Sequence, residues 1–166
     1  RATGTALAGE PSRSAVFHAL EMGRAAGVPL ILDIDYRPYS WPSVEVAADT
    51  CARAAALCDM VIGNDVEFGV LAGSVAKGLA RARNLAATTA QIVVYKMGED
   101  GAITFAGGAE HRTGIYAVTA LKPTGACDAF MGGFVSALAG GLGLRDAVLR
   151  GSAAAAIVVG KVGCAP

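Results

Sequence analysis

A strand gives way to a helix in the stretch Lys122-Pro123-Thr124-Gly125-Ala126-Cys127-Asp128-Ala129-Phe130. Pro123 blocks continuation of the strand, and small residues open the helix. Backbone N–H groups at the start of a helix point outward and, together with the helix dipole, attract an anion. Gly125 and Ala126 leave room for a phosphate to approach the backbone. The stretch therefore predicts a strand–turn–helix unit that binds a phosphate or a developing negative charge.

Asp128 falls in the first turn of this predicted helix. A carboxylate there can accept a proton from an attacking hydroxyl while the amides hold the transferring phosphoryl group. The alternative is structural, because an acid near a helix start is favourable with the dipole alone. From these residues alone, both interpretations stand.

Strand-like and helical segments alternate through the chain. Ser12 is a candidate N-cap, and Gly27 is a candidate helix stop. Gly107-Gly108 indicates a hairpin or loop tip rather than a domain boundary. The alternation predicts an α/β fold with a mostly parallel sheet and helices on both faces. The predicted strands are 29–34, 59–63, 91–96, 102–105 and 116–121, and the predicted helices are 11–26, 44–57, 64–71, 74–88, 125–139 and 144–162.

Composition restricts the partners and the location. The 166 residues carry 14 acidic and 14 basic side chains, a balance that argues against nucleic acid or an anionic membrane as partner. The apolar stretch 153–159 is too short to span a bilayer. No cysteine pair or nearby histidine has zinc spacing, so reduced, mostly buried thiols in a cytoplasmic protein are expected. The cysteines are Cys51, Cys58, Cys127 and Cys164.

The predicted strand that includes residue 32 ends in the charged and aromatic run Asp33-Ile34-Asp35-Tyr36-Arg37. The carboxyl ends of strands in open α/β sheets are where ligands bind. The strand period puts Asp33 and Asp35 on one face, and Arg37 could hold a carboxylate or a phosphate with two hydrogen bonds. The alternative is an Arg–Asp pair that pins a loop, with Trp41 in the core.

The run Thr124-Gly125-Ala126-x-Asp128-Ala129-Phe130 resembles the C-terminal signature of the ribokinase-like (PfkB) carbohydrate kinases. This resemblance implies a three-layer ribokinase-like fold. It also implies that Asp128 is the catalytic base and that the amides of Gly125, Ala126 and Cys127 form an anion hole.

The chain departs from this signature at two positions. Cys127 stands where the family usually has glycine, and a cysteine would be strained if that position needed a positive φ. Lys122 replaces an aspartate that contributes to a monovalent-cation site in many members.

Three further segments resemble family motifs in the same order. The segment 64–67 resembles the N-x-x-E motif, which implies that Asn64 and Glu67 handle magnesium and phosphate; the alternative is that they cap a helix. The segment 96–101 resembles the strand–turn–strand used against the nucleotide, which implies ATP contacts; the alternative is a plain hairpin. The residues implied there are Lys96, Gly98 and Gly101.

The third segment, 151–156, resembles the small-residue helix beside the adenine. The resemblance implies nucleotide contacts from Ser152 and Ala156. The alternative is close packing of a small-residue helix against the sheet.

The string D-I-D-Y-R-P-Y-x-W from Asp33 to Trp41 resembles the branch of the family that serves myo-inositol catabolism, and 163–166 fits the same branch. This implies phosphoryl transfer from ATP, with Mg²⁺, to the 6-hydroxyl of 5-dehydro-2-deoxy-D-gluconate or a closely related keto-deoxy sugar acid. Asp33, Asp35 and Arg37 are then substrate residues. One alternative is 2-keto-3-deoxygluconate, whose kinases tend to have Asn in place of Asp35. Another is a non-catalytic nucleotide-binding module.

The resemblance covers residues 1–166, but only the second half of a family kinase. The chain is thus expected to be the nucleotide-binding and catalytic part of one domain, without the N-terminal strands and the small β lid. Its expected partners are ATP, a sugar acid, the missing N-terminal half and, as a homodimer, a second copy of itself.

Overall fold

The computed structural model describes residues 1–122 and 124–161. The predicted strand stop at Pro123, the predicted last helical residue Val162, and Cys164 in the run 163–166 lie outside the described residues. The chain divides into two compact units. The first unit comprises residues 1–98 and 102–110, and the second comprises 99–101 and the residues from 111 onward.

One sheet of six strands runs in the order β1-β2-β3-β4-β5-β6. The first four strands are parallel, and β5 returns antiparallel to β4, so the predicted mostly parallel sheet is confirmed. Leu32, Val61 and Val93 on adjacent parallel strands are fully buried, as expected where both faces of a sheet are covered. The strands are β1 Ala2–Thr3, β2 Ile31–Asp33, β3 Met60–Asn64, β4 Ile92–Lys96, β5 Ala102–Ala106 and β6 Ala109–Thr113.

The helices follow the predicted alternation, with different bounds at several ends. Ser12 is the first residue of its helix rather than the cap, because Pro11 occupies the N-cap position and no side chain caps that end. Gly27 follows this helix in the left-handed conformation, so the predicted stop is confirmed. The helices are α1 Gly4–Leu7, α2 Ser12–Ala25, α3 Val44–Ala55, α4 Asp65–Ala72, α5 Gly78–Thr88, α6 Ala126–Ala139 and α7 Leu144–Val159.

One predicted strand is absent from the structure, and strand β6 was not predicted. The segment 116–121 is not a strand: the amides of Leu121 and Lys122 donate to the carbonyl of Val159, at the end of α7. The sequence analysis missed β6, because its polar and mostly exposed residues lack an apolar alternation. Gly107 and Gly108 both have positive φ and form the tight turn between β5 and β6, as predicted, but the boundary between the two units follows shortly after it.

Helices α6 and α7 pack closely within the second unit. A Cβ at Gly151 would lie 2.8 Å from the carbonyl oxygen of Phe130, and a Cβ at Gly133 would lie 2.9 Å from that of Arg150. Phe130 and Phe134 stack on each other in the buried face of α6. The two glycines therefore allow α6 and α7 to approach each other closely. Within residues 1–122 and 124–161, no helix combines the length and apolarity needed to cross a membrane.

Candidate functional site

The second unit holds the predicted base at a helix start. Gly125 is the N-cap of α6 with φ 88°, a left-handed conformation that glycine adopts without strain. Asp128 lies in the first turn and is exposed, so the carboxylate is accessible to a ligand within this unit. The first backbone amides of an α-helix have no partner within the helix, so those of α6 are expected to be available at the same end as Asp128. The role of Asp128 as catalytic base, and of the amides of Gly125, Ala126 and Cys127 as anion hole, stays a prediction.

The cysteine in this turn occupies an ordinary helical position. Ala126 and Cys127 are the first two residues of α6, and Cys127 is half-buried. Among the described residues other than glycine, only Asp35 has a positive φ. Cys127 is therefore not strained, and replacing the family glycine leaves the backbone amide in place.

The predicted nucleotide residues of α7 are Ser152 and Ala156, one helical turn apart and both half-buried. Their neighbour Gly151 is needed for the contact with Phe130 of α6. Small residues in this helix thus have a structural use, against a neighbouring helix. The nucleotide role of Ser152 and Ala156 stays a prediction.

The glycines that follow β4 provide turn geometry. Gly98 has φ 57° and opens a short 3₁₀ turn that ends at Asp100, and Gly101 has φ 81°. A side chain at Gly101 would collide with the carbonyl oxygen of Thr113. Both positions favour glycine for backbone reasons, as the hairpin alternative requires, and their nucleotide role also stays a prediction.

In the first unit, the parallel strands end in polar side chains at one edge of the sheet. Asp33, Asn64 and Lys96 are the last residues of the neighbouring strands β2, β3 and β4. Asn64 and Lys96 are register partners, and Asp33 is opposite Ile62, two residues before Asn64. Ligands bind at this edge in open α/β sheets. The topology therefore brings together three residues that the sequence separates by more than thirty positions each.

Asp33 is almost completely buried. Its Oδ2 accepts a hydrogen bond from Arg1 Nη2 at 2.7 Å, and its Oδ1 has no partner among the described residues. Burial raises the pKa of Asp33, while the positive charges of Lys96 and Arg1 oppose that rise. The predicted contact between Asp33 and a substrate stays a prediction.

The loop after β2 places Asp35 beside Arg37. Strand β2 ends at Asp33 and Asp35 has φ 35°, so the prediction that both acids share one strand face is wrong: the strand period no longer applies. Arg37 Nη2 lies 2.8 Å from Asp35 Oδ1. This is the loop-pinning pair of the structural alternative, and Trp41 is buried as that alternative also expects. Nearly half of the Arg37 side chain is nonetheless exposed.

Asn64 and Glu67 form a capping box at the start of α4. The Glu67 amide donates to Asn64 Oδ1 at 2.8 Å, and the Asn64 amide donates to Glu67 Oε2 at 2.7 Å. Glu67 Oε1 also accepts from the amide of Tyr36 at 3.2 Å, which ties α4 to the loop after β2. Burial raises the pKa of Glu67, and the charge of Lys96 opposes this.

The fit of this region to Mg²⁺ is limited. In the described ranges, no group of three or more His, Cys, Asp or Glu side chains is placed to hold a metal ion. Magnesium keeps several waters and takes few carboxylates directly. Both oxygens of the buried Glu67 already accept backbone hydrogen bonds, so the magnesium role of Asn64 and Glu67 stays a prediction.

The sequence analysis missed Thr5 and Arg1. Thr5 Oγ1 donates to Asp35 Oδ2 at 2.6 Å and contacts the Asp35 carbonyl oxygen at 3.1 Å. Gly4 makes this approach possible, because a Cβ there would collide with the carbonyl oxygen of Ile34. The only sequence signal for Thr5 was the small dipeptide Gly4-Thr5, which no motif singles out.

Comparison with known proteins gives consistent results. A family model described as pfkB family carbohydrate kinase matches residues 3–166. A protein of Photobacterium profundum named 5-dehydro-2-deoxygluconokinase is 40% identical over 98% of this chain and 50% of its own length. One of the same name from Shouchella clausii is 37% identical over 96% of this chain and 49% of its own length. The chain thus spans about half the length of the curated relatives it matches.

Solved structures agree with the fold. Fructokinase from Vibrio cholerae, with fructose, ADP and calcium bound, has a TM-score of 0.88 at 27% identity, over 98% of this chain and 55% of its own. Aminoimidazole riboside kinase from Salmonella enterica has a TM-score of 0.87 at 24% identity, over 98% of this chain and 56% of its own, which supports the fold alone. From the left-handed glycine and acid at the start of α6, the mixed sheet and the match over nearly its whole length, the chain belongs to the pfkB family of carbohydrate kinases.

Proposed function

We propose that this chain is the nucleotide-binding and catalytic part of a kinase that transfers a phosphoryl group from ATP to the 6-hydroxyl of 5-dehydro-2-deoxy-D-gluconate. The observation that carries the proposal is the exposed Asp128 in the first turn of α6, a helix whose N-cap is the left-handed Gly125. The names of the most similar relatives and the run from Asp33 to Trp41 support the choice of sugar.

The proposed chemistry uses few groups of the chain. The Asp128 carboxylate accepts the proton of the sugar hydroxyl, whose oxygen forms a bond to the γ-phosphorus of ATP while the bond to the ADP oxygen breaks. The amides of Gly125, Ala126 and Cys127 favour the negative charge on the transferring group. Mg²⁺ bound with the nucleotide would neutralise phosphate charge, with Asn64 and Glu67 holding its waters.

The other proposed contacts lie at the turns and strand ends already described. Arg37 binds the sugar carboxylate with its exposed N–H groups, and Asp33 and Asp35 support it. Lys96, the last residue of β4, is a further proposed contact to the nucleotide. The remaining nucleotide contacts come from Gly98, Gly101, Ser152 and Ala156.

Half of the relatives' length has no counterpart in this chain. We propose that a further segment of the protein supplies the remaining strands, the lid and most sugar contacts. We propose that the complete protein acts in the cytoplasm, where ATP is available. We also propose that it assembles as a homodimer. Size-exclusion chromatography with light scattering on the product of the complete gene tests that assembly.

Replacing Asp128 tests the proposed base. In the complete gene product, we expect Asp128→Asn to lower kcat by roughly 10²- to 10⁴-fold, the usual contribution of a general base, with the Kd for ATP almost unchanged. The matched control is Asp146→Asn, because Asp146 is an acid at the same first-turn position of α7. It is exposed and lies outside the proposed site.

One outcome would contradict the assignment of Asp128 as the base, and another would contradict the proposed sugar. Turnover by Asp128→Asn within a few-fold of wild type would leave a non-catalytic nucleotide-binding module as the better explanation.

Parallel kcat/KM measurements on 5-dehydro-2-deoxy-D-gluconate and 2-keto-3-deoxygluconate decide the substrate. A clear preference for the second sugar would contradict the proposed one and support the alternative kinase.

A further inference from the structure

Thr5, in the first turn of α1 just after β1, bonds to the loop that follows β2. Its hydroxyl donates to the Asp35 carboxylate at 2.6 Å and also lies 3.1 Å from the Asp35 carbonyl oxygen. The other carboxylate oxygen of Asp35 pairs with Arg37 Nη2 at 2.8 Å. A single carboxylate thus joins a hydroxyl at the start of α1 to a guanidinium on the loop after β2.

The backbone around this link is arranged at some cost. Asp35 has φ 35°, a conformation that costs free energy in residues other than glycine, although less in aspartate and asparagine than in most. Gly4 brings the start of α1 against the carbonyl of Ile34, so close that no side chain would fit. Such strain collects where a side chain must be aimed, which distinguishes this loop from an ordinary connection.

A third contact fixes the loop from its other side. Glu67 Oε1 accepts from the amide of Tyr36 at 3.2 Å, and Glu67 itself is buried in the capping box of α4. Asp35 and Tyr36 are therefore held from two different elements. Arg37 follows directly and keeps 46% of its side chain exposed, so its remaining N–H groups can meet a ligand.

We infer that Thr5 is a positioning residue that acts through Asp35 to orient the Arg37 guanidinium for the carboxylate of a keto-deoxy sugar acid. The inference rests on the proposed function, because it needs Arg37 to bind that carboxylate. An arginine oriented by a fixed acid loses less side-chain freedom when it binds a planar carboxylate with two hydrogen bonds. Thr5 therefore affects recognition of the acid rather than the transfer step.

A double-mutant cycle in the complete gene product tests this. Losing a hydrogen bond to a charged group weakens binding about tenfold. We therefore expect Thr5→Val to raise the KM for the sugar acid about tenfold, with kcat and the KM for ATP nearly unchanged. In an Arg37→Met background, the same change should alter KM less than about twofold, because the two residues act as one unit. Thr5→Ser keeps the hydroxyl and should restore a near wild-type KM. Thr88→Val, which removes a hydroxyl bonded to a helix carbonyl on α5, is the matched control.

Each outcome decides the inference. An unchanged KM in Thr5→Val, or an equal rise in both backgrounds, overturns it while leaving the proposed function intact. If wild type turns over neither keto-deoxy acid, the proposed function fails, and this inference fails with it. If Thr5→Val does not fold, Asp35→Asn replaces it: asparagine tolerates the positive φ and still accepts from Thr5, but has no charge for Arg37. The same rise in KM is then expected, and an unchanged KM overturns the inference.

Discussion

Gly4→Ala should destabilise the first unit strongly. A methyl group at Gly4 would collide with the carbonyl oxygen of Ile34 and lie 3.0 Å from its carbonyl carbon. Neither the segment at Gly4 nor the segment at Ile34 can move away freely, because the parallel pairing of β1 and β2 joins Ala2 to Leu32 and Thr3 to Asp33. Overpacking against backbone costs about 3 kcal/mol at the upper end of its usual range, and we expect a loss of that size. With a slope of roughly 2 kcal/mol per molar urea, the midpoint falls by about 1.5 M.

Gly9→Ala is the matched control for this measurement. Gly9 is exposed, has no positive φ, and has nothing within 4 Å of an added Cβ. Its change should stay within about 0.5 kcal/mol. Urea unfolding of the complete gene product, followed by circular dichroism, compares the two variants. Equal midpoints for Gly4→Ala and Gly9→Ala would refute the reasoning, because the close approach would then relax without cost.

Two further predictions concern titrating groups. Burial raises the pKa of the Cys51 thiol to about 12 and that of the Cys58 thiol to about 11. Peptide mapping after brief iodoacetamide treatment at mildly alkaline pH should therefore find the half-buried Cys127 labelled well before either of them. Prompt labelling of Cys51 in the folded protein would contradict this prediction. Burial also raises the pKa of Asp33 above its ordinary value of 3.8, so the folded state binds this proton more tightly than the unfolded chain does. The contribution of Asp33 to stability therefore declines as the pH rises from 3.8 through the raised pKa. The free energy of unfolding of Asp33→Asn minus that of wild type should therefore increase with pH in urea titrations, and a difference that falls with pH would argue against the buried position.

Local patterns were sufficient for much of the fold. Buried parallel strands read as short apolar runs, so β2, β3 and β4 could be placed within two residues. The polar strand β6 has no such pattern and was missed. The segment 116–121 has the apolar pattern of a strand, but its last residue bonds instead to the end of α7. Whether an apolar segment becomes a strand depends on whether another strand lies beside it to pair with, and the composition of the segment does not show this.

The candidate site divides in the same way. The turn from Gly125 to Asp128 lies within four consecutive residues, so its left-handed glycine and its first-turn acid follow from local sequence. The capping pair Asn64 and Glu67 is equally local, three residues apart.

The sequence by itself determined the alternation of strands and helices, the glycine turns and the acid at the start of α6, because each depends on backbone preferences within one or two turns of chain. Only the tertiary structure decided which side chains meet at the strand ends. Thr5 reaches Asp35 across 30 positions, and Glu67 reaches the amide of Tyr36 across 31. These contacts exist because parallel strands bring their carboxyl ends to one edge, an arrangement that follows from sheet order and register rather than from any local pattern.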